Sequence, residues 1–212
     1  MRLSGFRVTR FQYPRDRVIG DSQVAIRELN CAALELLADD GKSGLGFMMS
    51  LFHPLPDHAE IVRVFEEEAW PTLVGQQPAA LVHRVHRPRG GNQRTFSLPF
   101  YEAIQVALWD LAAKQVDLPL HRLLGSRRDR VRAYASGLDY HLSDDDFARF
   151  FQRADALGFQ AFKIKVGHPD FDRDLARLRL LRESVRKDAI LMIDANEAWG
   201  AKDALMKLAA IR

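Results

Sequence analysis

The sequence is poor in cysteine and in long apolar stretches. Cys31 is the single cysteine among 212 residues, which excludes an internal disulfide framework and a cysteine metal cluster. Scarce cysteine also suits a reducing compartment, so we expect a cytoplasmic protein. No apolar stretch approaches the roughly 18 residues that a membrane-spanning helix needs. The N-terminus has no apolar core of a secretory signal, so we expect neither a membrane partner nor export.

The chain also has little net charge. It carries 31 basic and 28 acidic side chains, which leaves a formal charge of +3. An excess this small does not indicate nucleic-acid binding. One basic run does occur, formed by Arg122, Arg127, Arg128, Arg130 and Arg132. The run has no interleaved aromatic residues, so we expect no nucleic-acid partner. Hydrophobic residues make up 47%, which excludes a disordered chain.

The first half of the chain predicts a small sheet followed by helices. Residues 3–13 and 44–47 read as strands, and residues 26–38 fit either a strand or a helix. The Asp-Asp-Gly turn at 39–41 favours a three-stranded antiparallel meander. Pro14 is expected to end the first strand, with a charged loop after it. Helical periodicity follows at 58–70, where Pro71 breaks it, at 78–85 and at 99–116, with a polar loop at 88–93.

Strands and helices alternate in the second half. We predict strands at 131–136, 161–166 and 189–195, and helices at 143–156, 170–185 and 202–211. Alternation with short connections is typical of a parallel α/β architecture. We therefore expect two domains: an α+β domain at 1–128, and the start of a (β/α) barrel at 129–212.

Two lysines alternate with apolar residues in the predicted strand around Ile164. Because strand side chains alternate between faces, Lys163 and Lys165 share one face. If the apolar face packs on helices, both ammonium groups point into the interior. Each charge then lowers the proton affinity of the other, which is how a lysine becomes a base near neutral pH. An edge strand with solvated lysines explains the spacing equally well.

A second polar group follows the next predicted strand. The apolar run at 190–193 ends in Asp194, and Asn196 lies two residues further on. Parallel α/β barrels place their chemistry at the carboxyl ends of strands, and carboxylate oxygens bind magnesium. Taken alone, Asp194 is more readily explained as the N-cap of the following helix than as a metal ligand.

The two groups together resemble the enolase superfamily, in its mandelate racemase and muconate lactonising branch. The resemblance rests on a Lys-x-Lys strand, a helix, and a strand that ends Asp-x-Asn-x-x-Trp at Asp194, Asn196 and Trp199. It extends to the N-terminal half, which resembles the capping domain, including Gly44 and Gly46. The implied fold is an α+β capping domain followed by an incomplete (β/α) TIM-type barrel of about three βα units.

The resemblance implies roles for these residues. Lys165 would be the general base that removes the proton α to a substrate carboxylate. Lys163 would lower the pKa of Lys165 and contact that carboxylate. Asp194 would be the first of three carboxylate ligands of one Mg²⁺, and Asn196 would orient the site. The metal would stabilise the enediolate formed on proton loss.

Three more residues are candidates for substrate contact. Tyr140 and His141 follow the first predicted barrel strand, and Arg17 lies in a loop that closes over the substrate in this family. For each of them, a solvated loop position is the simpler interpretation.

The length limits the functional expectation. A barrel of about 250 residues in eight units needs about 31 residues per unit, so residues 131–212 provide two to three units. Two further acidic ligands are therefore not expected in this sequence. We expect magnesium-dependent chemistry on a small-molecule carboxylate, with dehydration of a sugar acid preferred over racemisation, epimerisation or cycloisomerisation, in a homo-oligomer. The alternative is an inactive fragment or assembly piece.

Overall fold

The computed structural model describes residues 1–50, 54–85 and 96–211, apart from the side chain of Ser50. The expected loop at 88–93 lies outside the described residues. The chain divides into two compact units, formed by Met1–Tyr13 with Glu28–Asp129 and by Pro14–Arg27 with Arg130–Arg212. Pro14–Arg27 groups with the second unit, whereas the sequence analysis assigned it to the first domain.

The described elements alternate as follows. The strands are β1 (Leu3–Gly20), β2 (Ala25–Ala38), β3 (Ser43–Ser50), β4 (Ala135–Ser136), β5 (Ala161–Lys165) and β6 (Ile190–Asp194). The α-helices are α1 (His58–Val64), α2 (Pro78–Leu81), α3 (Phe100–Gln115), α4 (Leu120–Leu123), α5 (Asp144–Ala156), α6 (Phe171–Ser184) and α7 (Ala201–Ile211).

The first sheet has the order β1-β2-β3, and β2 and β3 are antiparallel, with Ala32 opposite Met48. The Asp39–Gly41 turn joins these two strands, as predicted. The prediction that Pro14 ends the first strand is wrong, because β1 continues to Gly20. An edge strand has N–H groups without partners, so it tolerates a residue that has no N–H.

The helix after His58 changes pitch instead of stopping. A π-helical turn at Phe65–Ala69 follows α1, and a 3-10 turn at Trp70–Thr72 follows that turn. Pro71 therefore lies within a helical turn, and the prediction that it breaks the helix is wrong. Proline is tolerated there because it occupies the first turn of a new segment, where its missing N–H needs no partner.

Helix α3 packs directly on β3, and two glycines allow this contact. A Cβ atom built on Gly44 would overlap the carbonyl oxygen of Ala107, and one on Gly46 would overlap that of Ala103. Helix backbone thus occupies the space that strand side chains would fill. The side chains on the buried face of α3, including Ile104, Leu108 and Leu111, are fully buried in the core of this unit.

The second unit contains a parallel sheet in the order β4-β5-β6. This alternation of strands and helices is the beginning of a (β/α) barrel, as the sequence predicted. Strand β4 is shorter than the expected 131–136. Ala135 pairs with Phe162, and β5 begins only one residue earlier, at Ala161. Strand β5 therefore offers residues 131–134 at most one further pairing position.

Local sequence signals set the helix ends of this unit. Ser143 caps α5 by accepting a hydrogen bond from the Asp146 N–H, and Asp170 caps α6 in the same way through Asp172. Gly158 ends α5 with φ +91°. The core between sheet and helices holds the fully buried rings of Phe147, Phe151 and Phe162, among others.

No helix within the described residues combines the length and the apolar character that crossing a bilayer requires.

Candidate active site

The lysine strand has one buried apolar face and one polar face. Phe162, Ile164 and Val166 are 0% exposed and pack in the core of the second unit. Lys163 and Lys165 therefore lie on the opposite face, as the alternation predicted. The edge-strand alternative is wrong, because β5 pairs with β4 on one side and β6 on the other.

One carboxylate oxygen receives both lysines. Asp194 Oδ2 lies 2.7 Å from Lys163 Nζ and 2.8 Å from Lys165 Nζ. Parallel register explains this convergence, because Lys165 pairs with Asp194 at the ends of adjacent strands. The interpretation of Asp194 as a helix N-cap is wrong, since α7 begins only at Ala201.

Asn196 completes the cluster. Its Oδ1 accepts a hydrogen bond from Lys165 Nζ at 2.6 Å, and its main-chain N–H donates to Asp194 Oδ1 at 3.0 Å. Asn196 and Glu197 have φ values of +46° and +65°. Two successive left-handed residues turn the chain sharply after β6, which returns the Asn196 side chain to the lysine.

The charges in this cluster shift each other's pKa values. Hydrogen bonds from Lys163 and then Lys165 hold the pKa of Asp194 well below its usual range. The hydrogen bond to Asp194 raises the pKa of Lys163. The strand pattern predicted that each lysine lowers the proton affinity of the other. For Lys163 the pKa moves in the opposite direction, because the hydrogen bond to the shared carboxylate outweighs the effect of burial, which by itself lowers the pKa.

A second group of charged residues, which is buried, lies beside Lys165 and was not predicted from the sequence. Asp139 is 1% exposed, Asp174 is 3% exposed and Arg177 is 7% exposed. Burial raises the pKa of Asp139 to about 6, and burial also raises the pKa of Asp174 and lowers that of Arg177. Together with Lys165 and Tyr140, these residues line a cavity of about 30 Å³.

The sequence contained a signal for this second group. The buried positions of α6 are 174, 177, 181 and 184, which follow a helical stripe. Asp174 and Arg177 are thus charged residues at positions where the period predicts apolar ones. Asp139 follows a predicted strand by a few residues, which is the same signal that identified Asp194.

The three remaining candidate residues lie in the same unit but do not all face the lysines. Tyr140 lines the cavity beside Lys165. Arg17 donates a hydrogen bond to the carbonyl oxygen of Gly137 at 2.7 Å, and His141 Nε2 lies 3.1 Å from that of Val24. Arg17 and His141 thus contact main-chain oxygens, and their contact with a substrate stays a prediction.

Asp194 has the donor chemistry of a magnesium ligand. Its side chain is 28% exposed, and one of its oxygens, Oδ1, accepts only a main-chain N–H among the hydrogen bonds described. Hard cations prefer such carboxylate oxygens. Within residues 1–50, 54–85 and 96–211, no group of three His, Cys, Asp or Glu side chains could hold a metal ion. The residues present fit one ligand position and not a full set.

Two family models match the sequence. The model of the mandelate racemase / muconate lactonizing enzyme N-terminal domain matches residues 19–125. The model described as enolase C-terminal domain-like matches residues 146–212. Together the two matches include both units of the chain and contain the Lys-x-Lys strand and Asp194.

Curated relatives fall into three enzyme classes. D-galactarolactone cycloisomerase from Agrobacterium fabrum is 34% identical over 182 residues, covering 81% of this chain and 46% of the relative. L-talarate/galactarate dehydratase from Salmonella typhimurium is 27% identical, covering 89% and 48%. L-Ala-D/L-Glu epimerase from Bacillus subtilis is 32% identical, covering 64% and 36%. The chain spans about half the length of the curated relatives it matches.

Solved structures share the fold. A Mesorhizobium loti protein with the provisional name mandelate racemase is 62% identical, with a TM-score of 0.93, over 100% of this chain and 56% of that one. A racemase from Streptomyces coelicolor with bound magnesium is 26% identical, with a TM-score of 0.81, over 99% and 59%.

Proposed function

We propose that this chain, which belongs to the mandelate racemase and muconate lactonizing enzyme family, takes part in abstraction of a proton α to a substrate carboxylate. The observation that carries the proposal is the convergence of Lys163, Lys165 and Asn196 on Asp194 at the carboxyl ends of β5 and β6. This is the edge of a (β/α) barrel at which catalysis occurs. Family membership supports the same reaction class.

We assign the role of general base to Lys165. Its side chain is 7% exposed and its Nζ is held by two acceptors, Asp194 and Asn196. A base fixed in this way loses little entropy when a substrate proton is presented to it. A lysine accepts a proton through the lone pair of its neutral amine, and Nζ of Lys165 is the nitrogen held in position for that transfer.

Lys163 is assigned to the substrate carboxylate. Its side chain is 24% exposed, more than that of Lys165, and its ammonium group lies at the same carboxylate oxygen. An ammonium group beside the substrate carboxylate stabilises the negative charge that develops when the α-proton leaves. Asn196 keeps the chain after β6 turned towards Lys165, which preserves the orientation of the base.

Asp194 is assigned as one ligand of Mg²⁺. When bound, magnesium supplies positive charge that stabilises an enediolate. The two lysines contact Oδ2 of Asp194, whereas Oδ1 accepts only the main-chain N–H of Asn196 among the hydrogen bonds described. Oδ1 would therefore be the atom that donates to the cation, while Oδ2 stays with the lysines.

For the overall reaction we propose an acid-sugar substrate, with dehydration preferred and cycloisomerisation or epimerisation as alternatives. The dehydratase relative is named for L-talarate and galactarate and the cycloisomerase relative for D-galactarolactone, which supports a substrate of the sugar-acid class. The epimerase relative supports the alternative of a dipeptide substrate. All three reactions begin with loss of an α-proton, so the roles of Lys163 and Lys165 do not depend on the choice.

Exchange of the substrate α-proton with solvent deuterium tests the proposal. The full-length protein, with magnesium, is incubated with a library of sugar acids and dipeptides, and exchange is followed by NMR. We expect Lys165→Ala to abolish exchange, whereas Lys202→Ala, at an exposed position of α7, retains it. Undiminished exchange in Lys165→Ala would reject this base. Absence of exchange with every acid in the wild-type protein would favour an inactive or assembly role.

A further inference from the structure

The main-chain N–H groups at the end of β5 have unusual acceptors. Val166 donates to the carbonyl oxygen of Asp194 at 3.1 Å, as expected for a strand beside β6. Lys165 instead donates to the carboxylate of Asp139 at 3.4 Å. Gly167 and His168 both donate to the carboxylate of Asp174, at 2.9 and 3.1 Å. Three of the four consecutive main-chain N–H groups from Lys165 to His168 therefore donate to the carboxylates of Asp139 and Asp174.

The sheet itself cannot supply the acceptor for Lys165. Successive N–H groups of a central strand point alternately to the two neighbours, and that of Lys165 points towards β4. Strand β4 ends at Ser136, which pairs with Lys163 two residues earlier. The Asp139 carboxylate thus occupies the place of the next strand carbonyl. Without it, a buried N–H group would lose its partner.

Burial of these two carboxylates is costly, so their retention needs a reason. Carboxylates are seldom fully buried unless they are paired. Asp139 follows Leu138, whose φ of +49° is unfavourable for a bulky side chain. Arg177 lies three residues after Asp174 on the same stripe of α6, and its charge favours the ionised form of Asp139. Two energetically unfavourable features, buried charge and a strained main-chain conformation, therefore lie near Lys165 in this unit.

We propose that Asp139 and Asp174 are positioning residues, which fix the main chain from Lys165 to His168 and thereby hold the Lys165 ammonium group in the site. The catalytic part of this inference rests on the proposed function. The structural part does not, because the hydrogen bonds belong to the folded chain. Neither carboxylate is assigned to contact the substrate, so loss of either should change turnover more than substrate binding.

Paired variants separate the acceptor oxygen from the charge. Asp139→Ala and Asp174→Ala remove the acceptor, whereas Asp139→Asn and Asp174→Asn keep an amide oxygen in its place. Asp172→Asn, at an exposed position of α6, is the matched control. Amide hydrogen exchange is read at residues 165, 167 and 168 by NMR. Exchange of the substrate α-proton is measured in parallel with the most active acid of the library.

We expect each Ala variant to lose amide protection at its own partners by at least about tenfold, corresponding to about 1.4 kcal/mol. The Asn variants should retain most protection, and the control should match the wild type. The turnover rate should fall about 10- to 100-fold in the Ala variants with KM within about twofold, as expected for misplacement of a group far from substrate contacts. The Asn variants should recover much of this loss.

Several results would overturn the inference. If both Ala variants keep the amide protection of the wild type, the structural claim is refuted. If the Ala variants lose amide protection but turn over substrate at the wild-type rate, the catalytic claim is refuted. If the wild-type protein exchanges no α-proton while the Ala variants lose protection, the proposed function fails and the structural claim stands. If an Ala variant does not fold, the hydrogen bond from Gly167 to Asp174 is tested in the wild-type chain by the through-hydrogen-bond coupling between Gly167 N and Asp174 Cγ. Absence of this coupling would contradict the structural claim.

Discussion

Replacing Asp139 with asparagine should change how the stability of the second unit depends on pH. Burial raises the pKa of Asp139 from 3.8 to about 6. The folded chain thus binds this proton more tightly than the unfolded chain does. As pH rises through the interval between these values, the unfolded chain releases the proton first, and wild-type stability falls. Asparagine does not titrate, so the variant is free of this loss.

The magnitude follows from the two pKa values. Their difference is about 2 pH units, and at 1.36 kcal/mol per unit the loss is about 3 kcal/mol. Solvent does not screen this effect of burial, because Asp139 is 1% exposed. The stability of Asp139→Asn relative to the wild type should therefore rise by about 3 kcal/mol between about pH 3 and about pH 7.5.

Urea unfolding followed by NMR measures this difference. The signals of Phe162 and Ile164, both fully buried in the second unit, report on that unit alone. Comparing variant and wild type at each pH cancels the other titrating groups. Asp172→Asn, at an exposed position of α6, is the control for removal of a carboxylate. A difference for Asp139→Asn that stays flat, or falls, across the same interval would refute the reasoning about burial.

Three further substitutions test packing within each unit and the cap of helix α5. Gly46→Ala should destabilise the first unit by about 2 kcal/mol or more, because its Cβ would overlap the Ala103 carbonyl, while Gly5→Ala, with its nearest contact at 3.4 Å, should change stability far less in urea unfolding. Phe151→Ala should cost about 3–5 kcal/mol by thermal or urea unfolding, since this ring is fully buried; a cost under about 1 kcal/mol would contradict that packing. Ser143→Ala should cost about 1 kcal/mol through loss of the α5 cap, with Ser143→Asn close to wild type.

Much of the fold could be predicted because local rules decide it. Ser143, Asp170 and Gly158 are capping and ending signals, and each acts where the sequence places it. Alternation of apolar residues and lysines gave the faces of β5 for the same reason. Pro14 misled the prediction because its effect depends on whether the strand lies at an edge. That property is set by neighbouring strands and cannot be read locally.

The site was predictable in its members but not in its electrostatics. The positions of Lys163, Lys165 and Asp194 follow from strand alternation and strand ends. The contact of both lysines with the same Asp194 oxygen depends on the register of β5 against β6 and on side-chain conformation. The direction of the Lys163 pKa follows from that meeting, so it could not be predicted. Asp139 was missed because its burial depends on non-local contacts.

The pairing of Lys163 with Met192 and of Lys165 with Asp194 has a consequence for tolerated changes in chain length. Inserting or deleting one residue immediately before β5, so that the whole strand shifts by one position against β6, would exchange its two faces. Both lysines would enter the aromatic core, and phenylalanine and isoleucine would face Asp194. The same change at the exposed residues Lys187 and Asp188 alters only the connection between α6 and β6. Length variation among functional sequences of this kind should therefore accumulate in the connections and avoid the five residues of β5.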